Sequence, residues 1–336
     1  MRHPRTRRLV ATLPATALAI SLLPGCAVAS GSVSAPAATG PGTAPAPAVT
    51  GPATAPAPAT SAAVADPGQA RVKKELRGLE RSFKGRIGAY ALDTATGRTV
   101  TYRADERFPM LSTFKAPLCA SVLHRARTSE PGLMNRVVRW TAADMTPNSP
   151  VTEKHVKDGL TVARLCEAAM NQSDGTASNL LLTLVGGPAG LTRYFRGLKD
   201  PVSRMDRRHP ELNDWTPKER RDTTTPAAIG RDLRLLTVGR ALHSEDRERL
   251  VAWLLANTTG DERIQAGLPR TWTVGDKTGT NSDGFGGGND IAVIWPAKDA
   301  APIIMAIYTN RTPGLPTDNP AIAKTATVLA RGLGRL

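Results

Sequence analysis

Strand-patterned segments stand at both ends of the foldable part of this chain with a long helical stretch between them, an order that admits few architectures. Residues 86–92 and 99–103 carry strand patterns and are joined through Asp93-Thr94-Ala95-Thr96-Gly97, a glycine-containing turn that predicts a hairpin. Strand patterns return at 271–275, 290–295 and 302–308. Between them, residues 113–125, 161–170, 177–185, 226–237 and 244–256 carry the 3.6-residue period, several opening on Ser, Thr or Pro. Val72, Leu76, Leu79 and Phe83 recur at helical spacing before the first strand, and a last helix is expected over 320–332. Strands that flank a helical insertion pair most simply as one sheet. The expected fold is therefore α/β of the α+β type: an antiparallel sheet flanked by the terminal helices, with an inserted all-helical subdomain and an active site in the cleft between them.

The first 68 residues do not share that pattern. An amino terminus with Arg2, Arg5, Arg7 and Arg8 leads into an apolar run over 9–23, too short for a spanning helix and suited to an export signal over 1–29. The paired Arg7-Arg8 resembles a twin-arginine signal. The run ends in Leu22-Leu23-Pro24-Gly25-Cys26, which resembles a bacterial lipobox and makes Cys26 the expected site of lipidation and membrane attachment; ordinary cleavage near Ala27-Val28-Ala29 is the alternative. Residues 30–68 are almost wholly Ala, Pro, Gly, Thr, Ser and Val. Such a stretch buries too little apolar surface to offset its ordering entropy and reads as a tether, on the order of 100 Å long if polyproline-like. The folded domain is then 69–336.

A formal charge of +15 invites a nucleic-acid partner, yet the Lys and Arg are dispersed and aromatics make up only 4%. An evenly basic surface is the simpler account. Of the three cysteines, Cys119 and Cys166 remain if Cys26 is lipidated or removed, and in an oxidising compartment they form a disulfide or stay as two buried thiols. His124, His155 and His243 show no ligand spacing with Cys or carboxylates, so no metal and no cofactor are expected.

Three short motifs carry chemistry. In Ser112-Thr113-Phe114-Lys115 a serine opens a helix and a lysine follows three residues later, on the same face. A serine hydroxyl needs a neighbouring base to become a nucleophile, and a lysine amine held near other cations supplies one. Alone the spacing means little, since Ser-x-x-Lys occurs about once by chance in a chain of this size. Ser173-Asp174-Gly175, between two predicted helices, adds a hydroxyl able to relay a proton to a leaving nitrogen. Lys277-Thr278-Gly279-Thr280, placed at the end of a strand, offers a cation and hydroxyls for a carboxylate, and Gly279 admits close backbone approach. The backbone N–H groups of Ser112 and Thr280 are the expected oxyanion donors.

This trio, in this order and on these elements, resembles the signature of the class A serine β-lactamases, within the larger family that includes penicillin-binding proteins. The resemblance spans about residue 72 to the carboxyl terminus. It implies hydrolysis of the β-lactam amide of penicillins and cephalosporins through a serine acyl-enzyme, a small-molecule partner only, and a monomer. By resemblance, Ser112 is the acylated serine, Lys115 its base and Ser173 the proton relay, while Lys277, Thr278, Gly279 and Thr280 line the substrate's carboxylate and carbonyl. Asn179 corresponds to the asparagine that braces the loop closing the site, Asn213 to the one that helps hold the hydrolytic water, and Arg207 and Asp222 to the ion pair at that loop's neck. Cys119 and Cys166 fall where some members form a disulfide, and Arg263 where some bind the substrate carboxylate.

The pattern breaks in three places. His209 occupies the position of the family's general-base glutamate, just before Pro210, and its loss threatens turnover of the acyl-enzyme while sparing acylation. Losing a positioned general base costs about 10²–10⁴-fold in rate. Three groups stand as replacements: the neutral imidazole of His209, Glu211 or Lys115. Gly175 replaces an asparagine whose amide holds the substrate's acylamino carbonyl, and Asn148 replaces an aromatic wall. The sequence thus predicts a slow β-lactamase, with a β-lactam trap or sensor as the alternative. A cell-wall peptidase would use the same nucleophile, but the 207–222 loop is a hydrolase feature.

Overall fold

The computed structural model describes residues 66–281 and 284–336. The expected export signal, Cys26 and residues 30–65 of the expected tether lie outside the described residues. Helix α1 (Pro67–Phe83) begins two residues before the expected start of the folded domain, because the Asp66 carboxylate accepts the Gly68 N–H at 2.9 Å and so caps the first turn.

One five-stranded antiparallel sheet forms the centre. Its strands are β1 (Gly85–Asp93), β2 (Thr99–Tyr102), β3 (Thr273–Asn281), β4 (Gly287–Trp295) and β5 (Ile303–Arg311), arranged β2-β1-β5-β4-β3. The expected hairpin and the closing of the sheet by carboxyl-terminal strands are both present. Burial on two faces explains why β4 and β5 read as near-continuous apolar runs instead of alternating. Ile291, Val293, Ile304, Ala306 and Tyr308 point to one face, and Ala292, Ile294, Ile303, Met305 and Ile307 to the other. On the second face lie α1 and α8 (Asn319–Gly332), contributing Val72, Leu76, Ile322 and Leu329.

The helical insertion covers the first face. It contains α2 (Lys115–Thr128), α3 (Val162–Asn171), α4 (Gly175–Leu184), α5 (Gly187–Gly197), α6 (Pro226–Thr237) and α7 (Ser244–Leu255). Every residue of α2 from Lys115 to Leu123 is buried, as a helix surrounded by its neighbours requires. Helix α5 falls in a stretch with no expected helix, because Gly186-Gly187-Pro188 and Gly190 punctuate its start.

Cys119 on α2 and Cys166 on α3 face each other in this core. They are free thiols, not a disulfide: Cys119 Sγ donates to the Cys166 carbonyl at 3.7 Å. Of the two readings open from the sequence, the structure has the buried thiols.

Candidate active site

Ser112 does not sit within a regular α-helix. It lies in a 3₁₀ turn, Leu111–Phe114, that feeds directly into α2 at Lys115. In a 3₁₀ turn residues i and i+3 eclipse, which stacks the two side chains more closely than an α-helix would. Lys115 Nζ donates to Ser112 Oγ at 3.0 Å. The sheet anchors the turn: Asn289 Nδ2 on β4 donates to the Pro109 carbonyl at 2.8 Å, and Thr113 Oγ1 and the Tyr308 hydroxyl on β5 are 2.7 Å apart.

The Lys277-Thr278-Gly279-Thr280 segment lies inside β3, not at its end, because β3 runs on to Asn281 as the edge strand. Gly279 faces the nucleophile's turn. A Cβ there would meet Leu111 Cβ at 2.9 Å and the Ser112 nitrogen at 3.1 Å, so only glycine lets strand and turn approach this closely.

Ser173 joins the two. It sits between α3 and α4 at φ 57°, and its hydroxyl accepts from Lys115 Nζ at 3.1 Å and from Lys277 Nζ at 3.3 Å. Its carbonyl takes a further bond from Lys115 Nζ at 2.6 Å. The conformation is held by Asp174, whose buried carboxylate accepts the N–H groups of Val151, Thr152 and Ala177 at 3.0, 2.9 and 2.8 Å. That bracing role went unread in the sequence, although an aspartate just before a helix is a standing cap signal.

Both lysines are fully enclosed. Burial, reinforced by the nearby Lys277 cation, holds the Lys115 amine well below its ordinary value despite the opposing pull of Asp174. Burial likewise depresses Lys277, against the attraction of Asp276 and Asp290.

The loop over 207–222 closes the other side. Arg207 Nε donates to Asp222 Oδ2 at 2.6 Å, and Asp222, 1% exposed, also accepts the Arg207 N–H at 2.9 Å. Asn179 on α4 donates to the His209 carbonyl and accepts the His209 N–H, each at 3.0 Å. The imidazole packs on Phe114, ring centroids 5.8 Å apart, and its buried Nε2 has no partner among the described residues. Burial, then the Lys115 and Lys277 cations, push its pKa well below 6.5. These elements enclose a cavity of about 390 Å³ whose walls include Ser112, Ser173, His209, Asn213, Thr278 and Thr280.

The Beta-lactamase enzyme family matches residues 71–333, and an ancestral class A beta-lactamase structure superposes with a TM-score of 0.73 at 50% identity, covering 77% of this chain and 99% of that one. The chain belongs to the class A serine β-lactamases. A crystal structure of the beta-lactamase from Streptosporangium roseum is 69% identical, with a TM-score of 0.78 over 80% of this chain and 100% of that one. Beta-lactamase FAR-1 of Nocardia farcinica is 47% identical over 260 residues, 77% of this chain and 82% of the relative. Carbapenem-hydrolyzing beta-lactamase KPC of Klebsiella oxytoca is 46% identical over 258 residues, 76% of this chain and 87% of the relative.

In this β-lactamase Arg263 and Glu211 are not among the residues that line the cavity. Arg263, expected at the substrate carboxylate, is 5% exposed and lies behind β3. It donates to the carbonyls of Gly279 and Asn289 at 2.8 and 2.7 Å, to Asn319 Oδ1 at 2.9 Å and to Thr280 Oγ1 at 2.6 Å. These acceptors take four of its five N–H donors, and the Thr280 hydroxyl links it to the cavity wall. Glu211 is exposed and absent from the cavity wall, and among the described residues no carboxylate lines the cavity. Thr259, unread in the sequence, lines the cavity and places its hydroxyl 2.5 Å from that of Thr278.

Proposed function

We propose that this enzyme opens β-lactams through an acyl-enzyme on Ser112 and releases it slowly. The observation that carries the reading is the Lys115 amine, held 3.0 Å from Ser112 Oγ and 3.1 Å from Ser173 Oγ in a cavity walled by Thr278 and Thr280. Burial and a second cation lower the proton affinity of this lysine, which favours its use as the base. It takes the Ser112 proton as Oγ attacks the lactam carbonyl. The oxyanion then falls to the N–H groups of Ser112 and Thr280. As the C–N bond breaks, the proton passes from Lys115 through the Ser173 hydroxyl to the departing nitrogen. Lys277, Thr278 and Thr280 hold the substrate carboxylate, with Arg263 orienting the last.

Deacylation needs a base for water near Asn213, and His209 is the group in reach of that space. Its imidazole, with a pKa held well below its ordinary value by burial first and then by the neighbouring Lys115 and Lys277, is a feeble proton acceptor. Slow hydrolysis follows, and a long-lived adduct makes a β-lactam trap or sensor the second reading, favoured by the same imidazole. The leader and tether motifs support export with attachment through Cys26, and the family supports a monomer.

Kinetics on a chromogenic cephalosporin separate the readings. Sustained turnover that vanishes in Ser112→Ala supports the hydrolase; a stoichiometric burst with no steady state supports the trap.

A further inference from the structure

Asn148 lies on the cavity wall and is exposed, in a segment whose fit against the Ser173 turn is unusually close. Gly175 has no room for a side chain. A Cβ there would meet Thr146 Oγ1 at 2.7 Å and the Pro147 carbonyl at 2.9 Å, so residues 146–148 fill the volume such a side chain would take. The segment is pinned by hydrogen bonds from the Thr146 N–H to Thr176 Oγ1 at 2.9 Å and between the Ser149 and Thr176 hydroxyls at 2.8 Å.

The segment returns an amide to the same wall. Asn148 sits at φ 56°, a left-handed conformation that asparagine tolerates better than most residues. Its carbonyl accepts the Gly175 N–H at 2.9 Å, and its Nδ2 donates to the Ser173 carbonyl at 3.2 Å. The first contact fixes the Asn148 backbone against Gly175, and the second holds its carboxamide beside the nucleophile's cavity. Its Oδ1 and second Nδ2 hydrogen have no protein partner among the described residues.

We infer that Asn148 selects β-lactams whose ring carries an acylamino substituent, its side-chain amide pairing with the substituent's amide. A secondary amide offers one C=O and one N–H, and a carboxamide with one acceptor and one donor free matches both. Thr146, Pro147 and Gly175 act only by positioning it. The inference rests on acylation at Ser112, but it fails separately from that reading.

The test compares benzylpenicillin with penicillanic acid, which lacks the acylamino group, by the second-order rate constant for acylation. Asn148→Gly keeps the backbone conformation without strain and removes the amide. The expected result is a loss of about tenfold for benzylpenicillin and a change within about twofold for penicillanic acid, the scale of one or two hydrogen bonds. Equal losses on both would assign Asn148 a structural role through the Ser173 carbonyl and Lys115, and no loss on either would remove it from recognition; both overturn the inference. Absence of any adduct in the unsubstituted enzyme instead overturns the Ser112 reading on which it stands.

Discussion

Asn179 and His209 exchange a pair of 3.0 Å hydrogen bonds, the asparagine amide giving one to the histidine carbonyl and taking one from its N–H. Because both bonds go to the backbone, Asn179 fixes where the residue before Pro210 stands whatever side chain it carries. Loop position and base identity are thereby separate problems in this enzyme, one solved and the other altered. Asn179→Ala should lower stability by about 1–3 kcal/mol, the cost of leaving two partly buried backbone groups unpaired. Thermal unfolding reads the loss, and an unchanged midpoint would mean the loop holds without the brace.

The two buried lysines predict a pH signature. In the proposed mechanism Lys115 works as the free amine, so acylation should rise with pH through its pKa, and burial with the Lys277 cation places that rise well below 10.5. Lys277→Met removes one depressing cause, so the Lys115 pKa climbs and the acidic limb of the acylation profile moves to higher pH. A limb that stays in place or moves down contradicts the assignment of Lys115 as base. The same depression makes the folded chain bind fewer protons at this site than the unfolded one, so stability rises with pH from the folded pKa up to 10.5.

Gly175→Asn is the obvious substitution for restoring an amide to the Ser173 turn, and the packing argues against it. The new Cβ would lie 2.7 Å from Thr146 Oγ1 and 2.9 Å from the Pro147 carbonyl, backbone that cannot swing aside. A loss of about 1–3 kcal/mol in stability is expected, with no gain in acylation of benzylpenicillin. Improved acylation at unchanged stability would show that the 146–148 segment yields.

Replacing His209 by glutamate puts a carboxylate on a cavity wall that has none among the described residues. With Asn179 holding the backbone and Lys115 and Lys277 nearby to favour the anion, His209→Glu should speed deacylation by about 10²-fold or more. Single-turnover decay of the benzylpenicillin adduct gives the rate. A slower decay would make the imidazole itself an effective base.

Much of the fold was legible because its signals are local. Val72, Leu76 and Phe83 mark α1 by period, Pro226 opens α6, and the β1–β2 hairpin declares itself by its glycine turn. Helix α5 was hidden because Gly187, Pro188 and Gly190 are weak helix formers kept helical by packing through Leu191 and Phe195. β3 reads as ending at 275 because Asp276 and Lys277 are charged, yet burial between strand and helices keeps them in the ladder. The site was legible where chemistry fixes spacing, at Ser112 with Lys115 and along 277–280. It was not where tertiary approach decides: Arg263 turned behind the strand, Thr259 brought beside Thr278, Cys119 and Cys166 left as thiols, and residues 146–148 folded over Gly175.

Intact-protein mass followed over time after mixing with benzylpenicillin tests the central claim most directly. The account predicts that the protein gains one penicillin mass rapidly, that peptide mapping finds it on Ser112, and that it disappears slowly as hydrolysed product accumulates. A protein that never gains that mass, or a Ser112→Ala variant that gains it equally, would contradict the account.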